Sequence, residues 1–251
     1  YGKGCIVEVE YDSEGQYVGF TVRTDDGQEI RLSPPEDKRK SDSIFFNLVL
    51  ADYTAGQATL IFLEQWPKDN NYKHWENYFH CLTFDFATQQ TATRTYEARP
   101  GAGIVGNGIP THNNGIIAGK YYFRDGLALA SLDLETGQYT RYEEYRSGIF
   151  DKLLPQEEIN GIELCDVTAW EDCLLLDYHC TDSVDKKTGA QPPSKRITVV
   201  WQDGKPQATL VYEYSNASLT IYNARGKELS KTTFPAEQIN TKMFSFQLPY
   251  R

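Results

Sequence analysis

The sequence of 251 residues contains few of the short patterns that mark enzymes and metal proteins. Its five cysteines form no C-x-x-C pair, and its four histidines form neither H-x-x-x-H nor H-E-x-x-H. Both absences argue against a structural zinc site, and the first argues against a thioredoxin-like redox centre. A G-x-S-x-G nucleophile elbow is missing as well. We therefore expect no bound metal and no cofactor, and we assign no catalytic residue.

Long apolar runs and an excess of basic charge are also missing. No run approaches the roughly 20 apolar residues that a helix needs to cross a bilayer, so we expect no membrane span. The formal net charge is −10, whereas nucleic-acid surfaces attract clustered Lys and Arg. We therefore expect no nucleic-acid partner and consider a basic protein the better fit. The simpler alternative is that the acidic excess only keeps the protein soluble.

A glycine-rich segment, Gly101–Gly106, fits the pattern G-x-G-x-x-G literally. A dinucleotide site needs a helix directly behind these glycines, and Pro110 would break such a helix. The segment therefore predicts a long loop, and it does not change the expectation of no cofactor.

The only methionine is Met243, and the sequence begins with Tyr1. Tyr1 is therefore not a translational start. A removed signal peptide or lipid-attachment segment would explain this beginning, and so would a trimmed chain. The first explanation predicts a periplasmic or extracellular protein, with a lipid anchor on the missing N-terminal segment.

Three of the cysteines, Cys165, Cys173 and Cys180, lie close together on neighbouring predicted strands. In an oxidising compartment a disulfide among them is expected. We predict that Cys165 pairs with Cys180 and that Cys173 is buried. The alternative is that the cysteines are buried thiols that pack as small apolar residues.

The clearest local structure is the stretch Leu127–Tyr145. Up to Leu134 two sets of residues alternate, Leu127, Leu129, Ser131 and Asp133 with Ala128, Ala130, Leu132 and Leu134. Glu135–Gly137 has turn chemistry, and Tyr139, Arg141 and Glu143 then alternate with Thr140, Tyr142 and Glu144. Period two places successive side chains on opposite faces of a strand, and Gly accepts the positive φ of a tight turn. The stretch therefore predicts an antiparallel β-hairpin.

Similar hairpins are predicted along the whole chain. Cys5–Leu32 predicts three strands, and the apolar runs Ile44–Leu50 and Ala58–Trp66 are separated by Asp52–Gln57. The aromatic share of 13% also favours strands. We predict an all-β protein in which residues 1–251 form a single domain.

Leu132-Asp133-Leu134-Glu135-Thr136-Gly137 is similar to the strand-turn sequence of bacterial β-propeller blades. The resemblance implies a propeller-like set of repeated antiparallel hairpins, with a blade about every 40 to 50 residues. No recurring Gly-His or Trp-Asp pair accompanies it, so it does not extend to WD40 repeats. A β-sandwich or a pair of β-domains is the alternative, because regular short strands satisfy either architecture.

Large aromatic residues cluster between Trp66 and Phe79, interleaved with polar ones. Long connections in compact domains are usually functional or disordered, and disordered segments are poor in aromatics. We predict a binding loop here, although packing of the loop would also explain the aromatics. The predicted binding residues are Trp66, Tyr72, His74, Trp75 and Tyr78.

These features favour a non-catalytic, exported binding protein that engages another protein through surface loops. A toxin-neutralising immunity protein is one class of this kind. The alternative is a carbohydrate-active enzyme or a carbohydrate-binding β-propeller. Two carboxylates about 5 to 10 Å apart in an exposed cleft would favour the enzyme.

Overall fold

The structure is a computed structural model, which describes residues 3–14, 17–35, 45–67, 75–98, 115–125, 128–142, 150–153, 162–180 and 195–234. Almost all of the regular structure is β. The elements are β1 Cys5–Tyr11, β2 Tyr17–Thr24, β3 Glu29–Leu32, β4 Phe45–Thr54, β5 Gln57–Pro67, β6 Trp75–Asp85, β7 Gln90–Ala98, β8 Gly115–Ile117, β9 Lys120–Asp125, β10 Ala128–Asp133, β11 Tyr139–Tyr142, α1 Phe150–Leu153, β12 Ile162–Trp170, β13 Cys173–Cys180, β14 Lys195–Gln202, β15 Lys205–Glu213, β16 Ser218–Asn223 and β17 Glu228–Thr233.

Within the described residues the strands form four antiparallel sheets, and each sheet contains strands that are consecutive in the chain. The sheets are β1–β3, β4–β7, β8–β11 and β12–β17. The prediction of an all-β protein built from repeated hairpins is confirmed. A closed propeller is not shown by these strands and stays a prediction, whereas the alternative of a β-sandwich or two β-domains fits the observed sheets.

The described residues group into two compact units. The first contains the described residues up to 98 together with Leu134–Tyr139, and the second contains those from 115 to 133 and from 140 to 234. Each unit buries its own apolar cluster.

The first unit buries side chains of sheet β1–β3 against one face of sheet β4–β7. Phe20 on β2 and Phe62 on β5 are both 0% exposed, and their ring centroids lie 4.8 Å apart. Leu60 on β5 and Leu82 on β6 belong to the same cluster. Burying side chains of this size contributes about 1.5–3 kcal/mol each, so this contact is a substantial apolar contribution to the first unit.

The second unit has its core on one face of sheet β12–β17. Ile197, Val199 and Trp201 alternate inward along β14, as period two requires. Phe150 of the short helix α1 packs on Tyr178 of β13, with ring centroids 5.0 Å apart.

Three hairpins close with two-residue turns in which both residues have positive φ. These turns are Ala55-Gly56, Ala118-Gly119 and Asp203-Gly204. Two positive φ angles are the mark of a type I′ turn, whose twist matches that of the flanking strands. The predicted connection Asp52–Gln57 is therefore shorter than expected, because β4 continues to Thr54 and pairs there with Gln57.

The predicted hairpin at Leu127–Tyr145 is present as the neighbouring strands β10 and β11. Gly137 in its turn has φ +74°. A Cβ atom added to Gly137 would lie 2.4 Å from Cδ1 of Tyr96, whose hydroxyl donates to the Leu134 carbonyl at 2.6 Å. Gly137 is therefore required both by its backbone angle and by the neighbouring ring.

We predict that Gly137→Ala lowers the free energy of unfolding by about 2–3 kcal/mol, since it combines positive-φ strain with a steric clash. Gly119→Ala is the matched control, because Gly119 has φ +73° but nothing within 4 Å of an added Cβ. The control is expected to lose only about 1 kcal/mol in urea unfolding. Equal losses in the two variants would show that Tyr96 does not restrict position 137.

Candidate functional site

Three of the five predicted binding residues lie within the described residues. Trp66 is on β5, and Trp75 and Tyr78 are on β6, whereas Tyr72 and His74 lie outside the described residues. The predicted loop Trp66–Phe79 needs correction. Position 67 pairs with position 75, and Phe79 is 1% exposed within β6. Residues 66–67 and 75–79 therefore form the paired end of β5 and β6, whereas residues 68–74 lie outside the described residues.

The register of β5, β6 and β7 brings five polar or aromatic residues onto one face of the sheet. Glu64 lies opposite Tyr78, which lies opposite Glu97. His80 is two residues from Tyr78 on β6 and lies opposite Thr95. Side chains two apart on a strand share a face. We call Glu64, Tyr78, His80, Thr95 and Glu97 the polar patch.

A chain of hydrogen bonds links three members of the polar patch. His80 Nε2 lies 2.7 Å from Glu64 Oε2, and His80 Nδ1 lies 2.9 Å from Thr95 Oγ1. The side chains of Glu64 and His80 are 0% exposed. An ionised carboxylate can only accept, so Nε2 donates to it, and in the neutral imidazole Nδ1 accepts the Thr95 hydroxyl proton. Each strand from β5 to β7 contributes one partner.

The order hydroxyl, imidazole, carboxylate is also that of acyl-transfer triads. In such enzymes the nucleophile and the base must reach a substrate. Here no part of the His80 or Glu64 side chain is exposed, and Thr95 lies within a regular strand rather than on a sharp turn. The relay therefore links three strands and holds the polar patch in place.

Tyr78 lies where this buried relay approaches the surface. It is half-buried, and its hydroxyl lies 3.5 Å from Glu76 Oε2. Burial raises the pKa of the Tyr78 phenol, and so do the charges of three carboxylates, Glu97, Glu76 and Glu64. The phenol therefore stays protonated at neutral pH. An aromatic ring surrounded by carboxylates is complementary to a Lys or Arg side chain.

A second ionisable cluster lies on sheet β12–β17. Asp166 on β12 is opposite Asp177 on β13. Arg196 Nη2 donates to Asp177 Oδ2 at 2.5 Å, and the Thr198 hydroxyl donates to Asp177 Oδ1. Since the Asp177 side chain is only 12% exposed and both of its oxygens accept hydrogen bonds, it does not offer the open carboxylate of a glycosidase nucleophile.

Cys5, Cys81, Cys165 and Cys173 are thiols in the structure. The predicted pair Cys165–Cys180 is kept apart by register, because Cys180 lies opposite Ile162 and Cys165 lies at a bulge further along β12. Three residues of strand span about 10 Å, whereas bridged Cα atoms lie about 4.4–6.8 Å apart. Cys173, which we expected to be buried, is half-exposed.

Cys5 and Cys81 fit the alternative interpretation of buried thiols. Burial raises the pKa of each thiol to about 11. Both therefore stay protonated at neutral pH and pack as small apolar side chains.

Within the described part of the chain, no group of three His, Cys, Asp or Glu residues is arranged to hold a metal ion. In the same residues no helix is long and apolar enough to cross a bilayer. Neither a protein-family model nor a curated protein sequence matches this chain.

Glu64, His80 and Thr95 are not among the residues that the sequence predicts as functional. A signal for two of them is nevertheless present. Glu64 follows the apolar run Leu60–Leu63, and His80 lies between apolar positions of the next strand. A buried charged residue needs a partner, so a Glu and a His in adjacent buried strands indicate an internal pair.

We predict that His80→Leu lowers the free energy of unfolding by about 3–5 kcal/mol, because it removes the hydrogen bond between His80 Nε2 and the fully buried Glu64 carboxylate. The double variant Glu64→Leu with His80→Leu is expected to recover most of this loss, since apolar residues can replace a buried pair at little cost. Denaturant unfolding of the double-mutant cycle measures both effects. If the double variant is as unstable as the sum of the single variants, the two side chains are not coupled.

Proposed function

We propose that this protein is a non-catalytic, exported binding protein that engages a basic protein partner through the end of the β5–β6 hairpin. The binding surface comprises Trp66, Tyr72, His74, Trp75 and Tyr78. A secreted toxin that the protein neutralises is a partner of this kind.

The observation that carries the proposal is the position of Tyr78. Its ring is half-buried beside the exposed Glu97 and the half-buried Glu76, and the buried relay holds the strand on which it lies. Register places position 66 opposite Glu76, at the same end of the hairpin. Aromatic side chains on a rigid scaffold lose little conformational entropy on binding, which is why they dominate interface energies.

The charge of this region supports a basic partner. Glu64, Glu76 and Glu97 all act on the Tyr78 phenol, and the whole chain has a net charge of −10. Complementary charge raises the association rate and selects among partners. A Lys or Arg side chain that packs on the Tyr78 ring would meet both the ring face and a carboxylate.

A carbohydrate is the second candidate ligand, because aromatic rings at a surface also pack on sugars. The carboxylates nearest the Tyr78 phenol are Glu64, Glu76 and Glu97. Glu64 is fully buried and bound to His80, so it is not available as a glycosidase nucleophile or acid, which favours binding over hydrolysis at the hairpin end.

We predict that Trp66→Ala combined with Tyr78→Ala weakens partner binding about 30-fold or more, which corresponds to about 2 kcal/mol for truncated aromatic anchors. The partner is first captured on the immobilised protein from the secreted fraction of the source cells and identified by mass spectrometry. Trp170→Ala is the matched control, because Trp170 is 39% exposed but lies on β12. A folded double variant that binds as tightly as the parent would refute the proposed surface.

The contribution of charge is tested separately. We predict that Glu76→Gln with Glu97→Gln slows association and flattens its dependence on ionic strength, because rim charges act mainly on the association rate. The control pair is Glu14→Gln with Glu228→Gln, two exposed residues of the same charge elsewhere. If both pairs change the salt dependence equally, only the net charge matters and the carboxylates beside Tyr78 have no special role.

A further inference from the structure

Two carboxylates face each other across the first two strands of sheet β12–β17. Asp166 on β12 pairs in register with Asp177 on β13. Opposite residues on antiparallel strands have Cβ atoms about 4.5–5.5 Å apart. Two carboxylates at this separation in a partly buried site repel each other when both are ionised.

The Asp177 carboxylate is held by side-chain hydrogen bonds from β14. Arg196 contacts both of its carboxylate oxygens, through Nη2 to Oδ2 at 2.5 Å and through Nε to Oδ1 at 3.3 Å. The Thr198 hydroxyl adds a third hydrogen bond. Both Asp177 oxygens therefore accept hydrogen bonds, two of them from a guanidinium.

Asp166 has much weaker support for a negative charge. Its Oδ1 accepts the backbone N–H of Val167 at 2.8 Å. The guanidinium of Arg124 on β9 donates to the carbonyl oxygens of Leu164 and Cys165 at the adjacent bulge, at 3.3 and 3.4 Å. Burial, followed by the charge of Asp177, raises the pKa of Asp166 to about 6, although Val167 N–H, Arg196 and Arg124 act in the opposite direction.

Strand β12 is an edge strand of its sheet, and β13 is its neighbour within that sheet. The other face of β12 packs closely on β8 of the same unit. A Cβ atom added to Gly115 on β8 would lie 2.1 Å from the Cβ of Ala169 on β12. A change in the pairing of β12 with β13 therefore affects the packing of two sheets in the second unit.

We propose that Asp166 and Asp177 form a proton-controlled latch on the edge strand β12. With one proton on the pair, Asp166 is neutral and β12 is held against β13. When the proton leaves, two adjacent carboxylates repel each other and the bulged part of β12 separates from β13 more readily.

The charged groups that act on Asp166 from neighbouring strands are Asp177 on β13, Arg196 on β14 and Arg124 on β9. Strand β8 has no ionisable side chain, and the Asp133 of β10 lies opposite Lys120 in its own sheet. His179 lies two residues from Asp177 on β13. The titration is therefore read at the Asp166 carboxyl carbon itself.

The direction of the pH effect follows from proton binding. The folded protein retains the Asp166 proton up to about pH 6, whereas the unfolded chain releases it near pH 4. Stability from this proton is therefore complete below about pH 4 and is lost as the pH rises through 6. The difference in the Asp166 pKa between the folded and unfolded chain corresponds to about a hundred-fold change in the folding equilibrium. Solvent screening at this half-buried site reduces the expected change toward about ten-fold.

The test combines carbon-detected NMR titration of Asp166 with amide hydrogen exchange along β12, corrected for the intrinsic pH dependence of exchange. We expect an Asp166 midpoint near pH 6, a lower midpoint in Asp177→Asn, and opening of Val167 and Thr168 about ten-fold more frequent at pH 7.5 than at pH 5. Amides at the centre of β14 serve as the internal reference.

Asp166→Asn retains a neutral side chain at every pH, so its β12 opening is expected to be independent of pH. Asp203→Asn is the matched control, because Asp203 is an exposed turn residue whose positive φ also suits Asn. In this control variant we expect β12 to open with the same pH dependence as in the parent protein. A midpoint near pH 4 for Asp166 would show that the folded protein does not retain its proton. A midpoint near pH 6 together with pH-independent exchange along β12 would show that the proton does not control the pairing of β12.

Discussion

The pairing, within each sheet, of strands that are consecutive in the chain is the constraint on which the rest of this structure depends. All four described sheets follow it. Tight turns enforce it where both central residues have positive φ, as at Ala55-Gly56 and Asp203-Gly204. Such turns leave little freedom for a strand to slip, and a slip of one residue would move every side chain to the opposite face. Register therefore determines which polar side chains meet.

Two ionisable clusters arise from register in this way, and their properties differ because their partners differ. Glu64 meets His80, whose second ring nitrogen contacts Thr95, so a fully buried carboxylate has a hydrogen-bonding partner. Asp166 instead meets Asp177, which already accepts hydrogen bonds from Arg196. A carboxylate beside a donor stabilises strand pairing, whereas a carboxylate beside another carboxylate makes strand pairing depend on a proton.

Local periodicity predicted the strands well, because alternation and turn chemistry are properties of short segments. The hairpin at Leu127–Tyr145 and the strands of Cys5–Leu32 are examples. Alanine at positive φ, as at Ala55, is rare enough that composition does not locate such a turn. The interpretation of Trp66–Phe79 as a loop was wrong in extent because paired aromatic strands and aromatic loops have similar composition. The pairings His80–Glu64 and Cys180–Ile162 depend on register between strands, which one sequence does not reveal.

The central claim is that the aromatic end of the β5–β6 hairpin, beside the carboxylates around Tyr78, is the binding surface. The protein has four tryptophans, so its NMR spectrum contains four indole N–H signals that Trp→Phe variants assign. Titration with the captured partner is predicted to shift the signals of Trp66 and Trp75 and to leave those of Trp170, at 39% exposure, and the buried Trp201 in place. A shift of the Trp170 signal alone, or binding without any shift at Trp66 and Trp75, would contradict the account.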